Sequence, residues 1–252
     1  MKNLESILSV ENVNKSFGRR NVLKNINISL SNGEFVSLVG LSGSGKSTLL
    51  NIIAGLEKTD TGDIFLEREK ITGKTANVSY MFQKDLLFPY YSILDNVILP
   101  LVIQGTNKNE ATKKAIPYFK TFGLEGTENL YPSELSGGMK QRAALLRTYL
   151  FGKKIMLLDE PFSALDMITK NQMHEWYLSI IEKLHLTTLL ITHDIEEAIL
   201  LSDRILVMHN ACEKDDTNIV KEIRITQARP RTTDFCFTAE FLELKKEIFS
   251  TL

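Results

Sequence analysis

Apolar positions change their period several times along this chain, and each change predicts an element. Between residues 4 and 39 the pattern is that of β structure: Val22, Ile26, Ile28 and Leu30 nearly alternate. Ser31-Asn32-Gly33 then supplies a turn before an apolar run of strand length over 34–39. Residues 48–56 (TLLNIIAGL) read as a helix ending at a glycine-containing turn, and 62–66 and 77–82 as further strands. From about 84 to 152 strand character vanishes; helical stretches at 92–101, 108–122 and 138–150 are broken at Pro89, Gly105, Gly123 and Pro132. Strands return at 155–158, 187–191 and 204–208, with helices at 166–184 and 195–201 between them. In the first of these helices Met173, Trp176 or Tyr177, Ile180 and Leu184 fall three or four apart, the spacing of a buried face. Residues 211–252 read as periphery: a charged turn, a short strand pair around 219–225, and a helix over 238–249. Strands alternating with helices on both sides of an all-helical insertion predict an α/β protein with a parallel-sheet core.

Composition narrows the function classes. With 252 residues, 43% apolar and 24% charged, the chain is long enough for one large α/β domain or two small ones. Thirty Lys and Arg against 31 Asp and Glu leave a net charge of −1, so no global field favours nucleic acid or an anionic membrane. No run approaches the roughly 18 apolar residues needed to span a bilayer, and MKNLESILSV lacks the apolar region of a signal peptide. The expectation is a soluble, cytosolic chain that any membrane partner must anchor, with Cys212 and Cys236 as free thiols.

Residues 40–48, GLSGSGKST, carry the sharpest chemical signal. Gly40, Gly45, Lys46 and Ser47 match G-x-x-x-x-G-K-[ST], set between a strand and a helix as the motif requires. Glycines at 40, 43 and 45 allow positive φ and let successive N–H groups approach a phosphate. Leu41, Ser42, Ser44 and Thr48 complete this nucleotide-binding stretch, Leu41 through its backbone. Lys46 would reach the β- and γ-phosphates, and the Ser47 hydroxyl would help hold Mg²⁺. Downstream, the apolar run 155–158 ends in Asp159 and Glu160. Asp159, at the C-terminal edge of a buried strand, would reach Mg²⁺, and Glu160 would be free to activate a water.

Between these two elements stands Leu135-Ser136-Gly137-Gly138, followed by a basic, glutamine-containing helix. Ser136 and the amides of Gly137 and Gly138 open that helix as a second anion site. Here the chain resembles the ATP-binding cassette (ABC) proteins, over residues 4 to about 232. Gln83 matches the family's Q-loop, Ser163 to Asp166 its D-loop, His193 its switch histidine and Phe17 its adenine-stacking aromatic. The resemblance implies the P-loop NTPase fold of an ABC ATPase: a parallel-sheet core, an N-terminal antiparallel β subdomain, an inserted α-helical subdomain (about 84–152) and a C-terminal helical tail (233–252). It implies ATP and Mg²⁺ as cofactors, with Ser47, Gln83 and Asp159 at the metal. Glu160 is then the general base, and His193, Gln83 and Lys46 complete the catalytic set. It also implies a dimer with a second copy of the chain, each ATP sandwiched between Lys46, Ser47, Asp159 and Glu160 of one copy and Ser136 and Gly138 of the other.

Within the family, the stretch 82–97 (FQKDLLFPYYSILDNV) and Arg229-Pro230-Arg231 resemble the nitrate/sulfonate/taurine importer ATPases, with thiamine-precursor importers in the same neighbourhood. Tyr90 stands where that group usually has tryptophan. The implied partners are transmembrane permease subunits and, indirectly, an extracytoplasmic solute-binding protein, with no nucleic acid; the implied place is peripheral, on the cytoplasmic side of the cell membrane. Leu86, Leu87, Phe88, Tyr90 and Tyr91 are the expected permease-facing patch. The competing readings are an exporter ATPase with a separate membrane partner and a soluble ABC ATPase outside transport.

Overall fold

A computed structural model describes residues 6–163, 165–210 and 218–252 of the protein. Cys212, Ala164 and the expected charged turn after 211 lie outside the described residues.

The chain opens with two long antiparallel strands, β1 (Ser6–Phe17) and β2 (Arg20–Ser31), then β3 (Phe35–Gly40) and helix α1 (Lys46–Ile53). Next come β4 (Thr61–Leu66), the two-residue β5 (Glu69–Lys70) and β6 (Ser79–Met81). Three helices follow without a strand: α2 (Ile93–Ile103), α3 (Lys108–Thr121) and α4 (Gly137–Leu150). Then β7 (Ile155–Asp159), α5 (Met167–Leu184), β8 (Thr187–Thr192), α6 (Ile195–Leu201) and β9 (Arg204–Met208) alternate, and β10 (Ile219–Arg224) and α7 (Ala239–Thr251) finish the chain.

Among the described residues the strands form two sheets: an antiparallel one in the order β2-β1-β4-β5, and a second in the order β10-β9-β3-β8-β7-β6. All pairs of the second sheet are parallel except β9 with β10. Every residue of β3, β8 and β9 is buried, as strands covered on both faces are. Leu8, Leu30, Leu49 and Leu50 belong to one core that joins the β1 and β2 strands, α1 and the large sheet. A second core packs α2, α3, α4 and α5 on the other side, around Phe119, Phe122 and Tyr177. Between the two candidates for the α5 stripe, Tyr177 is fully buried. Trp176 is only partly so, with the Arg142 guanidinium 4.7 Å from its ring centre.

Register then places the functional motifs. Val39 lies opposite Thr192, Asp159 opposite Ile191, and Met81 opposite Leu158. The glycine loop, the carboxylate pair, His193 and Gln83 therefore all leave the sheet at its C-terminal edge, where open α/β sheets bind ligands.

Three expectations change. The first helix begins at Lys46 rather than Thr48, because the glycine loop itself supplies its N-cap. The expected strand pair around 219–225 is a single strand, β10, that pairs with β9. The segment after 218 is more than periphery: Phe235, Phe241, Leu244 and Ile248 are buried against Val39, Ala198 and Ile199. The Arg231 side chain is buried with them and donates to the carbonyls of Ile199, Ser202 and Gln227. Cys236, half-buried nearby, is a free cysteine whose thiol is pushed up by burial.

Candidate functional site

Between β3 and α1 the loop closes on itself through glycine. Gly43 and Gly45 have φ of 80° and 100°, a region that L side chains rarely adopt. A Cβ at Gly40 would lie 2.3 Å from the Met208 carbonyl oxygen, so that glycine is required by space. Gly45 caps α1 with no side-chain hydrogen bond and no acidic residue in the first turn. Other helices differ: α2, α3, α6 and α7 are capped by Ser92, Asn107, Asp194 and Thr238 side chains. The first amides of α1 thus remain available for an anion.

Lys46 is buried, and its ammonium donates to the carbonyls of Gly40 (2.8 Å) and Leu41 (2.9 Å). Those bonds use two of its three donors. Burial lowers the Lys46 pKa from its ordinary value, against the opposing pull of Glu160 and Asp159. Burial likewise raises Asp159 above the usual carboxylate range, while Ser47 and Tyr80 bond its charged form. A triphosphate beside Lys46 and a cation beside Asp159 would each relieve these penalties. The oxygens for a cation converge: Ser47 Oγ donates to Asp159 Oδ1 at 3.3 Å. No cluster of three His, Cys, Asp or Glu occurs among the described residues. A hard ion here would take hydroxyl and carboxylate oxygens and share the rest with phosphate and water, which fits Mg²⁺.

Glu160 lies one residue past the strand, with φ of 46°. Its N–H donates to the Ile191 carbonyl (2.9 Å), and its own carbonyl accepts from the Ser163 N–H and hydroxyl. These bonds hold an otherwise unfavourable backbone, an arrangement that functional sites concentrate. Glu160 Oε2 lies 3.2 Å from the Gln83 amide nitrogen and 3.2 Å from His193 Nδ1. A carboxylate, an imidazole and a carboxamide thus face one point.

Phe17, Ser42, Gly43, Gly45, Lys46, Ser47, Thr48, Gln83, Asp159, Glu160 and His193 line one cleft of about 600 Å³. Gly40, Leu41 and Ser44 do not line it: Leu41 is exposed, and the Ser44 hydroxyl is buried with no protein partner. The signature residues lie elsewhere. Ser136 caps α4, accepting from the Met139 N–H at 3.3 Å. A Cβ at Gly138 would lie 3.2 Å from Thr169 of α5, and one at Gly137 would lie 3.7 Å from Leu165. Asp166 caps the same end of α5 by accepting from the Thr169 N–H and hydroxyl. Signature and D-loop are therefore neighbours, outside the cleft of their own chain.

Three lining or contacting residues escaped sequence reasoning. Arg20 and Val22 line the cleft, and Arg20 donates to the Gly43 carbonyl at 3.4 Å. Tyr80 donates to Asp159 Oδ2 at 3.3 Å. Arg20 was visible only as one of two arginines in a turn, and Tyr80 only as a strand aromatic. A somewhat larger cleft, about 700 Å³, opens beside Asn32, Lys153, Lys154 and Leu186 at the opposite ends of the strands. Glu67 and His185 line it too, but the Glu67 carboxylate is paired with Lys154. The glycine loop and the Asp159–Glu160 strand end lie at the smaller cleft, which is the candidate site.

Known proteins resemble this chain in sequence and fold. Residues 23–163 match the ABC transporter family. The chain is 47% identical over 208 residues to the formylaminopyrimidine import ATP-binding protein ThiZ of Halalkalibacterium halodurans, covering 82% of this chain and 81% of that protein. It is 43% identical over 205 residues to the nitrate import ATP-binding protein NrtD of Synechocystis sp., covering 80% and 77%. A solved dimeric post-hydrolysis state of an ATP-binding cassette, bound to ADP and Pi, superposes with a TM-score of 0.72 at 31% identity, over 89% of this chain and 99% of that one. With a phosphate loop, a strand-end carboxylate pair and a signature helix in one cassette fold, the chain belongs to the ATP-binding proteins of the ABC transporter family, the ATPase cassettes.

Proposed function

We propose that this chain is the ATP-hydrolysing subunit of a membrane ABC importer for a small solute of the nitrate, sulfonate or thiamine-precursor class. The observation that carries the ATPase half is the convergence of Gln83, His193 and the strained Glu160 on one edge of the cleft. The import half is supported by relatives named for formylaminopyrimidine, nitrate and aliphatic sulfonates import.

In this reading the α1 amides and Lys46 take the phosphates, and Phe17, half-exposed at the cleft rim, takes the adenine. Ser47 and Asp159 would hold Mg²⁺, with the Gln83 carbonyl oxygen beside them. Bound there, the ion would neutralise charge growing on the β- and γ-phosphate oxygens. Glu160 accepts a proton from the attacking water as its oxygen bonds the γ-phosphorus, and the bond to the ADP oxygen breaks. His193, 3.2 Å from Glu160, orients that water and contacts the transferring phosphoryl group. Ser136, Gly137, Gly138 and Asp166 lie outside the cleft, and a second copy of the chain accounts for them: its signature would close over this chain's ATP. ATP then joins two copies, and hydrolysis removes the shared charge that holds them.

The face toward the permease is apolar. Leu86, Phe88, Tyr90 and Tyr91 are all exposed, Tyr90 by 90%, whereas Leu87 is buried and leaves the expected patch. Beside them Leu56, Phe82, Pro100 and Phe151 line a groove of about 260 Å³. We assign this surface to the cytoplasmic segment of a transmembrane permease. Purifying the tagged chain from gently solubilised native membranes and identifying what accompanies it tests the assignment. A multi-span permease encoded beside a solute-binding protein supports it; recovery with ribosomes or nucleic acid alone overturns it. The double variant Phe88→Ser/Tyr90→Ser is expected to keep ATP affinity within about twofold, because neither side chain lines the cleft, and to lose most co-purified permease, as truncated interface anchors do. Full recovery of the permease would rule out that patch.

A further inference from the structure

We propose that Tyr80 is a positioning residue joining the apolar groove to the metal-facing carboxylate: its hydroxyl holds Asp159 while its ring leans on Phe82 in the groove wall. This rests on the groove being the permease dock.

The geometry follows from register. Tyr80 of β6 pairs with Leu157 of β7, and Asp159 stands two residues further along β7, on the same face as Leu157. Tyr80 and Asp159 are therefore diagonal neighbours across adjacent strands, within reach of a long aromatic side chain. Tyr80 Oη donates to Asp159 Oδ2 at 3.3 Å, while Ser47 Oγ donates to the other carboxylate oxygen at the same distance. The two hydroxyls hold the carboxylate from both sides and set its plane. On its other side the Tyr80 ring stacks on Phe82, with centroids 4.4 Å apart and planes 28° apart. Phe82 is 41% exposed, and both rings line the groove.

A groove wall alone needs only an apolar ring, which phenylalanine would provide. A half-buried phenol needs a partner for its hydroxyl, and the partner here is Asp159, the carboxylate that would hold Mg²⁺. The Asp159 carboxylate is an acceptor, so the phenol is the donor of this bond. At 3.3 Å the bond is near the limit of useful length. A helix pressing on Phe82 would move the stacked ring, and the bond to Asp159 would lengthen or shorten with it. Groove occupancy thus reaches the metal carboxylate through two rings, on a path separate from Gln83.

The isolated chain with ADP bound allows a direct test, with Mn²⁺ as the metal probe and electron paramagnetic resonance as the readout. Tyr80→Phe keeps the ring stack and removes the hydroxyl. Its Mn²⁺ affinity should fall about tenfold, as loss of an outer-shell partner does, while ADP affinity in EDTA stays within about twofold. Phe82→Ala should weaken Mn²⁺ about threefold in the wild-type chain and have no effect in Tyr80→Phe, because contacts in series are not additive. An unchanged Mn²⁺ affinity in Tyr80→Phe overturns the positioning role. Equal losses from Phe82→Ala in both backgrounds overturn the link to the groove, because Phe82 would then act through Gln83. Should Phe82→Ala fold poorly, Phe82→Leu in the same cycle carries the same two outcomes. Permease recovery tests the groove assignment by itself, so the two readings fail separately.

Discussion

Replacing Glu160 by glutamine should slow ATP turnover by about 10²–10⁴-fold, the span that a positioned general base contributes. Glutamine has nearly the same shape. It can still accept from Gln83 through its carbonyl oxygen, and the bonds that hold the residue 160 backbone, its N–H to Ile191 and its carbonyl from Ser163, do not involve its side chain. What disappears is a carboxylate able to take the water's proton. A negative charge near the γ-phosphate disappears as well, so ATP should bind as tightly or more so. The ATP-bound dimer should then persist long enough to be seen by size-exclusion chromatography. Single-turnover hydrolysis separates the effects: the chemical step falls and nucleotide affinity does not. Undiminished turnover would remove Glu160 from the role of base and leave His193, 3.2 Å away, as the next candidate.

Replacing Arg231 by methionine should destabilise the folded chain by about 3 kcal/mol, because it removes charged hydrogen bonds worth roughly 1.5–3 kcal/mol each against a desolvation cost. The Arg231 Nη1 donates to the carbonyls of Ile199 (3.0 Å) and Ser202 (2.7 Å), and Nε donates to Gln227 (2.9 Å). Ile199 and Ser202 are at the C-terminal end of α6, whose last carbonyls have no partner within the helix. A cation there also suits the negative end of the helix dipole. Burial pushes the guanidinium down to about 10, so it stays charged at neutral pH while losing part of that gain to desolvation. Methionine fills the stem's space but leaves those carbonyls buried and unmet. Urea unfolding should show the loss as a lower midpoint with an unchanged slope. A change below about 1 kcal/mol would mean that water replaces the guanidinium.

Both results bear on what could be read before the fold was known. Strand and helix positions in the cassette were legible where an element is an apolar run, such as β7, or a stripe of helical period, such as α5. The two-residue β5 was not, since a run that short has no period. Gly40 to Thr48, Asp159, Glu160 and the signature residues were legible as chemistry, because phosphate binding needs glycine, lysine and hydroxyl at fixed spacing along one stretch of chain. Tyr80 and Arg20 were not, because their partners lie 79 and 23 residues away.

Arg229-Pro230-Arg231 shows the difference most plainly. In the sequence it resembles a motif of an importer group. In the fold Arg229 reaches back to Asp203 at 2.8 Å, and Arg231 clamps the end of α6, the helix that Asp194 starts directly after His193.

The sequence by itself determined the local chemistry: which loop has the glycines and lysine suited to a phosphate, which strand ends in carboxylates, and which helices begin with amides suited to an anion. These depend on residues within a few positions of one another, where spacing alone sets geometry. Only the tertiary structure decided that Gln83, Glu160 and His193 meet, and that Ser136 and Asp166 stand apart from the cleft of their own chain. It alone showed Leu87 turned inward while Tyr90 is exposed. Those facts depend on parallel register between strands distant in sequence and on packing between layers, which local spacing does not encode.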